Sequence, residues 1–246
     1  INEVTDNAVA KIIGSALTLS ASTGIGDATA LDVNVTTVTS AASATGGITL
    51  NLLGDAVAAN GISADHAVTV SSAVASTSGN IVLTATTGSG LKTYTSLDTN
   101  AGSISATATL GHIQIGSISA GSGGTANTVS VEATAGTINE VTNDDSGTIT
   151  ADITGSSVSL TAFTGIGTDS ALDLNVSTVT LATSPTGGIR LNLLGAAANG
   201  LSANHAVTVT LATATTLGDI TFTSTSCSGT KTYTTVSAAN GIIDIS

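Results

Sequence analysis

Reactive side chains are sparse in this chain and stand apart from one another. Its 246 residues carry 16 Asp and Glu, 4 Lys and Arg, three His and one Cys. The sharpest chemical phrase is Gly24-Ile25-Gly26-Asp27 followed by Asp32, which echoes the Gly-x-Gly-x-Asp of calcium-binding β-rolls. Carboxylates suit a hard, oxygen-seeking cation, so Asp27 and Asp32 are the candidate calcium ligands. In such rolls the phrase comes in tandem nonapeptides, and adjacent turns share each ion. Here it returns only once, as Gly165-Ile166-Gly167-Thr168-Asp169. The expectation is no cofactor, with calcium at Asp27 and Asp32 as the one metal to look for.

Other constellations read as structure. His66, His112 and His205 have no Cys or second His beside them, unlike zinc sites. Gly88-Ser89-Gly90-Leu91-Lys92-Thr93 looks like a phosphate loop, but that motif needs Gly directly before Lys. Lys92 and Tyr94 are i, i+2 neighbours on one strand face, a packed or surface pair. Asn34-Val35-Thr36 and Asn175-Val176-Ser177 match the glycosylation sequon, yet both fall in expected strands. Asn34, Asn51, Asn175 and Asn192 are read as turn or ladder residues. Paired-carboxylate catalysis needs two acids at a fixed separation. Asp55 becomes Ala196 and Asp65 becomes Asn204 where the sequence repeats. The chain is read as non-enzymatic. Thr37-Val38-Thr39 raises an ice-binding alternative, but the Thr-x-Thr pairs are irregular.

What must position these residues follows from composition. Only 8% of residues are charged, against about 25% in an ordinary domain, and mean hydropathy is +0.45. Disordered chains are less hydrophobic and more charged. Thr, Ser and Asn interrupt every apolar run well short of the roughly 18 residues of a membrane-spanning helix, so no membrane insertion is expected. The four bases Lys11, Lys92, Arg190 and Lys231 are scattered singly. They form no phosphate-contacting stripe, which excludes nucleic acid as a partner. Cys227 has no internal partner for a disulfide. The chain opens at Ile1 without a leader-like segment, and reads as an interior piece of something longer.

A long repeat organises the sequence. Ile1-Asn2-Glu3-Val4-Thr5 returns as Ile138-Asn139-Glu140-Val141-Thr142, and His66-Ala67-Val68-Thr69-Val70 as His205-Ala206-Val207-Thr208-Val209. The offset between copies runs from 137 to 141 and settles at 139. The expected organisation is one continuous solenoid made of a unit at 1–137 and a truncated unit at 138–246. Inside each unit Gly-x-Ile recurs, for example at Gly46, Gly79, Gly102, Gly187 and Gly218, followed by alternating apolar and hydroxyl residues. Glycine supplies a tight turn, and the alternation is a half-buried strand. A turn and strands every 23–33 residues suit one coil of a parallel β-helix. A sandwich would fill its interior with aromatics, and these are 2% of the chain. The fold expected is all-β: a parallel β-helix, or β-solenoid, of about ten coils. At ~4.8 Å per coil it is a rod on the order of 45–50 Å long.

Leu17-Thr-Leu-Ser-Ala-Ser-Thr-Gly-Ile-Gly26, Ala30-Leu31-Asp32-Val33-Asn34-Val35 and Thr45-Gly-Gly-Ile-Thr-Leu-Asn51 resemble the repeats of giant bacterial surface exoproteins. These are the filamentous-haemagglutinin-like and autotransporter-like β-strand repeat adhesins. The resemblance implies a right-handed β-helix, export to the cell surface or medium, and a role as stalk or adhesive fibre. It carries no site residues. The function expected is a structural, non-catalytic segment of such a fibre, with partners at its ends: further copies or adjoining repeats. Two alternatives stand beside it. One is a carbohydrate- or surface-binding module using the insertions at 54–66 and 195–205, and the other a self-assembling filament or surface-layer subunit.

Overall fold

The computed structural model describes residues 1–4, 9–54, 62–124, 127–145 and 148–246. Where apolar and hydroxyl residues alternate, the backbone is strand: Ile81–Ala85 and Ile104–Ala108 bury every second side chain and leave the Val, Ser and Thr between them half-exposed. Twenty-one strands form this way, paired in parallel, and no helix occurs among the described residues. This is the parallel β-solenoid that the nested repeat predicts.

Register partners divide each coil between two stacks. In the first, Ile25, Ile48, Ile81, Ile104, Val129 and Val158 lie one above another, continued by Val179, Val209 and Tyr233. The second runs through Val68, Lys92, Ile113, Ile138, Ile166, Ile189, Ile220 and Ile243. One coil spans between 19 residues, from Leu31 to Leu50, and 35, from Ile118 to Ile153. The 13-residue strands Leu31–Ser43 and Leu172–Ser184 turn the corner between stacks. Leu31–Val33 pairs with Leu50–Leu52 in the first stack, and Ala41–Ser43 pairs with Ala73–Ala75 in the second.

The repeat and the coil do not share a period. Ile48 belongs to the first stack, and its counterpart Ile189 to the second. Five coils separate Ile48 from Val179, and the chain then crosses half a coil further to reach Ile189. One sequence repeat is therefore five and a half coils, and equivalent residues fall on alternate stacks. Pairing continues without a break across residues 137 and 138, because Ile113–Ile115 carries Ile138–Glu140.

The core is a set of aliphatic columns shared by the two stacks. Phe222 and Tyr233 meet with a 5.2 Å centroid separation and a 48° tilt, a favourable geometry. At one corner the glycines of the Gly-x-Ile phrases stack backbone against backbone. A Cβ on Gly102 would sit 2.0 Å from the carbonyl oxygen of Gly79, and one on Gly79 would sit 2.5 Å from the backbone of Gly46. The recurrence of Gly-x-Ile at the coil period thus records a contact between neighbouring coils as well as a turn.

Two sequence expectations shift. Strand was expected over residues 8–13 and 148–153, but it begins at Ile12 and Ile153. The residues just before are held by the coil above instead: Lys11 N donates to Asp32 O at 2.8 Å and Asp152 N to Asp173 O at 2.9 Å. Asn199-Gly200 forms the expected turn, with φ of 49° and 80°. Asn60-Gly61, Ala8 and Gly147 lie outside the described residues.

Gly102→Ala is expected to cost about 1–3 kcal/mol through overpacking in urea or thermal unfolding. Gly14→Ala, where an added Cβ meets nothing within 4 Å, is expected to stay within about 0.5 kcal/mol of the parent.

Candidate functional site

The two expected calcium ligands are placed apart in role. Gly26 and Gly167 take φ of 67° and 63° and divert the chain out of the strand. Ile25 to Leu31 then spans six residues, where the coil above needs only the two from Ile48 to Leu50. Asp27 rides this bulge and is exposed. In the second copy Asp169 occupies the bulge and accepts from Asn139 Nδ2 at 3.0 Å. The Gly-x-Gly-x-Asp wording therefore encodes a bulge. Asp32 is buried and accepts a 2.7 Å hydrogen bond from Asn51 Nδ2.

Asp32 and Asp173 belong to polar ladders that climb the solenoid beside the aliphatic columns. In the first copy Thr86 Oγ1 donates to Asn51 Oδ1, and Asn51 Nδ2 to Asp32 Oδ1. In the second, Thr223 and Thr225 donate to Asn192 Oδ1, Asn192 Nδ2 donates to Asp173 Oδ1 at 2.6 Å, and Asp173 N to Asp152 Oδ2 at 2.8 Å. Each rung supplies the donor or acceptor that the next one needs, so these polar groups can be buried.

At the foot of the second ladder four carboxylates converge. Carboxylate oxygens of Glu140, Asp144 and Asp173 all lie within 4.8 Å of one another, with Asp152 beside them on the rung below Asp173. Glu140 ends the strand Thr137–Glu140, and Asp144 hangs from the segment that follows it. Asp144 Oδ2 accepts from both N and Oγ1 of Thr150 at 2.8 Å. Just outside, Arg190 lies 3.9 Å from Asp145, and both are partly exposed.

Burial in this group works against ionisation. It pushes Asp173 up to about 7, with the charges of Asp144 and Glu140 adding to the effect and the Asn192 hydrogen bond opposing it. Burial also raises Asp152 and Glu140, reinforced by the neighbouring carboxylates. Asp144 moves the other way: although burial penalises its charge, the hydrogen bonds from Thr150 hold it below the usual value.

The first copy solves the same electrostatic problem differently. Glu3, the counterpart of Glu140, has a fully buried side chain and lies 3.8 Å from Lys11 Nζ. Lys11 is the counterpart of Asp152. Where one copy has a cation, the other has a fourth acid. The change was legible in the aligned phrases around Lys11-Ile12-Ile13 and Asp152-Ile153-Thr154, and so was the acid run Glu140, Asp144, Asp145. Only the fold shows that Asp173 joins them.

The remaining reactive groups serve as struts. Both ring nitrogens of His66 face carbonyl oxygens, Ser63 O at 3.1 Å and Val35 O at 3.0 Å, and His205 repeats this with Ser202 and Val176. His112 pairs with Thr137. Lys92 is fully buried and donates to Gly88 O and Gly90 O; burial lowers its pKa, opposed by the charge of Asp65. Its neighbour Tyr94 is packed into the core, as a same-face pair should be. No family model, curated protein or solved structure matches the chain.

The raised carboxyls carry a sign. Between an unfolded-state pKa of about 3.9 and a folded value of about 7 at Asp173, the folded chain binds more protons than the unfolded one. Stability in chelator should therefore fall as pH rises through that window. Asp152→Asn, which removes a carboxyl that burial keeps protonated in the fold and that is ionised in the unfolded chain, is expected to flatten this slope in thermal melts from pH 4 to 8. A slope equal to the parent's would sink the assignment.

Proposed function

We propose that this chain is a structural, non-catalytic segment of a stalk or fibre on the surface of a bacterium or secreted by one. The observation that carries the reading is the unbroken parallel stacking, in which each coil templates the next from the first strand to the last. Such a body is stiff along its axis, because bending it would break inter-coil hydrogen bonds all along one face. The histidines, Lys92 and the Asn–Asp ladders support the reading, since all are spent on ties within or between coils. The resemblance to bacterial surface exoproteins supports export and the cell surface.

In this reading the partners are further copies or adjoining repeats, because a coil of this kind holds its neighbour through aliphatic columns and a strand edge, as Ile220 and Phe222 hold Ile243 and Ile245. The segment 195–205, one of the two insertions considered for ligand binding, is tied down: Asn199 Nδ2 donates to Ser119 Oγ and Ala120 O, some 80 residues earlier. A loop strapped along the rod suits a strut better than a projecting binding site.

Electron microscopy of the purified chain is expected to show rods on the order of 45–50 Å long, single or joined end to end, and antibodies against it are expected to label intact source cells. Labelling only after lysis would overturn the surface assignment. Saturable binding on a glycan array that Asn199→Ala abolishes would favour the binding-module reading instead.

A further inference from the structure

We propose that Glu140, Asp144 and Asp173 bind one calcium ion, which does for the second copy what the Lys11 ammonium does for the first. The inference goes beyond the stalk reading and does not depend on it.

Geometry is the first support. Two oxygens that share a calcium ion at 2.3–2.6 Å stand at most about 5 Å apart, and the three carboxylates have oxygens within 4.8 Å of one another. Unsatisfied lone pairs are the second. Glu140 is 5% exposed and Asp173 fully buried. Yet no donor reaches hydrogen-bond geometry at either oxygen of Glu140, at Oδ2 of Asp173 or at Oδ1 of Asp144; the groups beside them are the Ser170 hydroxyl and one another's carboxyls. Buried acceptors without a donor are costly. Their partner oxygens are committed: Asp144 Oδ2 to Thr150, and Asp173 Oδ1 to Asn192. Those bonds fix each carboxylate so that its unsatisfied oxygen is the one left to take a ligand, as outer partners do at metal sites.

The internal comparison is the third support. Glu3 is buried like Glu140, and in that copy a side-chain cation lies 3.8 Å from its carboxylate. In the second copy the equivalent residue is Asp152, so one more acid joins the group while the built-in cation has gone. All-oxygen ligands exclude a preference for zinc, which favours nitrogen and sulfur. Magnesium holds several waters in a strict octahedron, whereas calcium accepts bidentate carboxylates in flexible numbers; the burial of Glu140 and Asp173 favours calcium. The ion would join consecutive coils, since Glu140 and Asp173 lie on neighbouring turns of the second stack.

The test uses the whole chain stripped with EDTA, then titrated with CaCl2 or MgCl2 by calorimetry and followed by thermal melts. One calcium site per chain is expected, with a Tm rise of roughly 5–10 °C at a hundredfold excess over Kd and a smaller rise with magnesium. Asp173→Asn is expected to abolish binding, and Asp32→Asn, at the equivalent place in the first copy, to retain it. Asp152→Lys is the sharper variant, because it rebuilds the first copy's ion pair. It should melt higher than the parent in EDTA and lose its response to calcium. Should Asp173→Asn fail to fold, Glu140→Gln with the same calorimetric readout takes its place. Calcium heats and melting shifts absent in the parent would overturn the proposal, as would a calcium response that survives in Asp152→Lys.

Discussion

Parallel stacking of coils at a fixed spacing is the constraint on which the rest of this molecule depends. Every residue in a strand has one neighbour directly above and one directly below, about 4.8 Å away. Side chains must therefore be compatible with copies of themselves or with complements. Ile, Val, Leu and Ala satisfy this inside, as the columns through Ile48 and Ile81 show, and Thr and Ser satisfy it outside. A row of charges would not, and the low charge content of the chain follows from the stacking.

The same constraint explains how polar groups enter the interior. A lone Asp or Asn in such a column would be stranded, but in a ladder where Thr donates to Asn and Asn donates to Asp each bond satisfies one oxygen of the next rung. The ladder has to end somewhere, and its lowest rung meets Lys11 in one copy and Asp152 in the other. Asp152 in place of Lys11, with Asp144 and Asp145 where the first copy has Asn7 and Ala8, converts an ion pair into a concentration of acids. Burial then turns that concentration into raised proton affinity, and into affinity for a cation that can take the proton's place.

Much of this architecture is legible in sequence. Alternation marks Ile81–Ala85 as strand, Gly46, Gly79 and Gly102 mark a corner, and the recurrence of His-Ala-Val-Thr-Val marks the long repeat. The bulge at Gly26 was harder, because Gly-Ile-Gly-Asp has the wording of a calcium roll. Its meaning depends on the two-residue span from Ile48 to Leu50 in the coil above, which no local pattern contains. Likewise no local pattern shows that Asp173, the counterpart of Asp32, lies beside Glu140 and Asp144.

The sequence by itself determined an all-β chain, the approximate length and number of its coils, and the identity of the two copies. These are properties of local periodicity, written in residues near one another along the chain. Only the tertiary structure decided that one repeat is five and a half coils, so that Ile48 and Ile189 fall on different stacks. It also decided that Glu140, Asp144, Asp152 and Asp173 share one small volume. Both results depend on which coil lies against which, and that is set by summed register over more than a hundred residues, a quantity that no single motif carries.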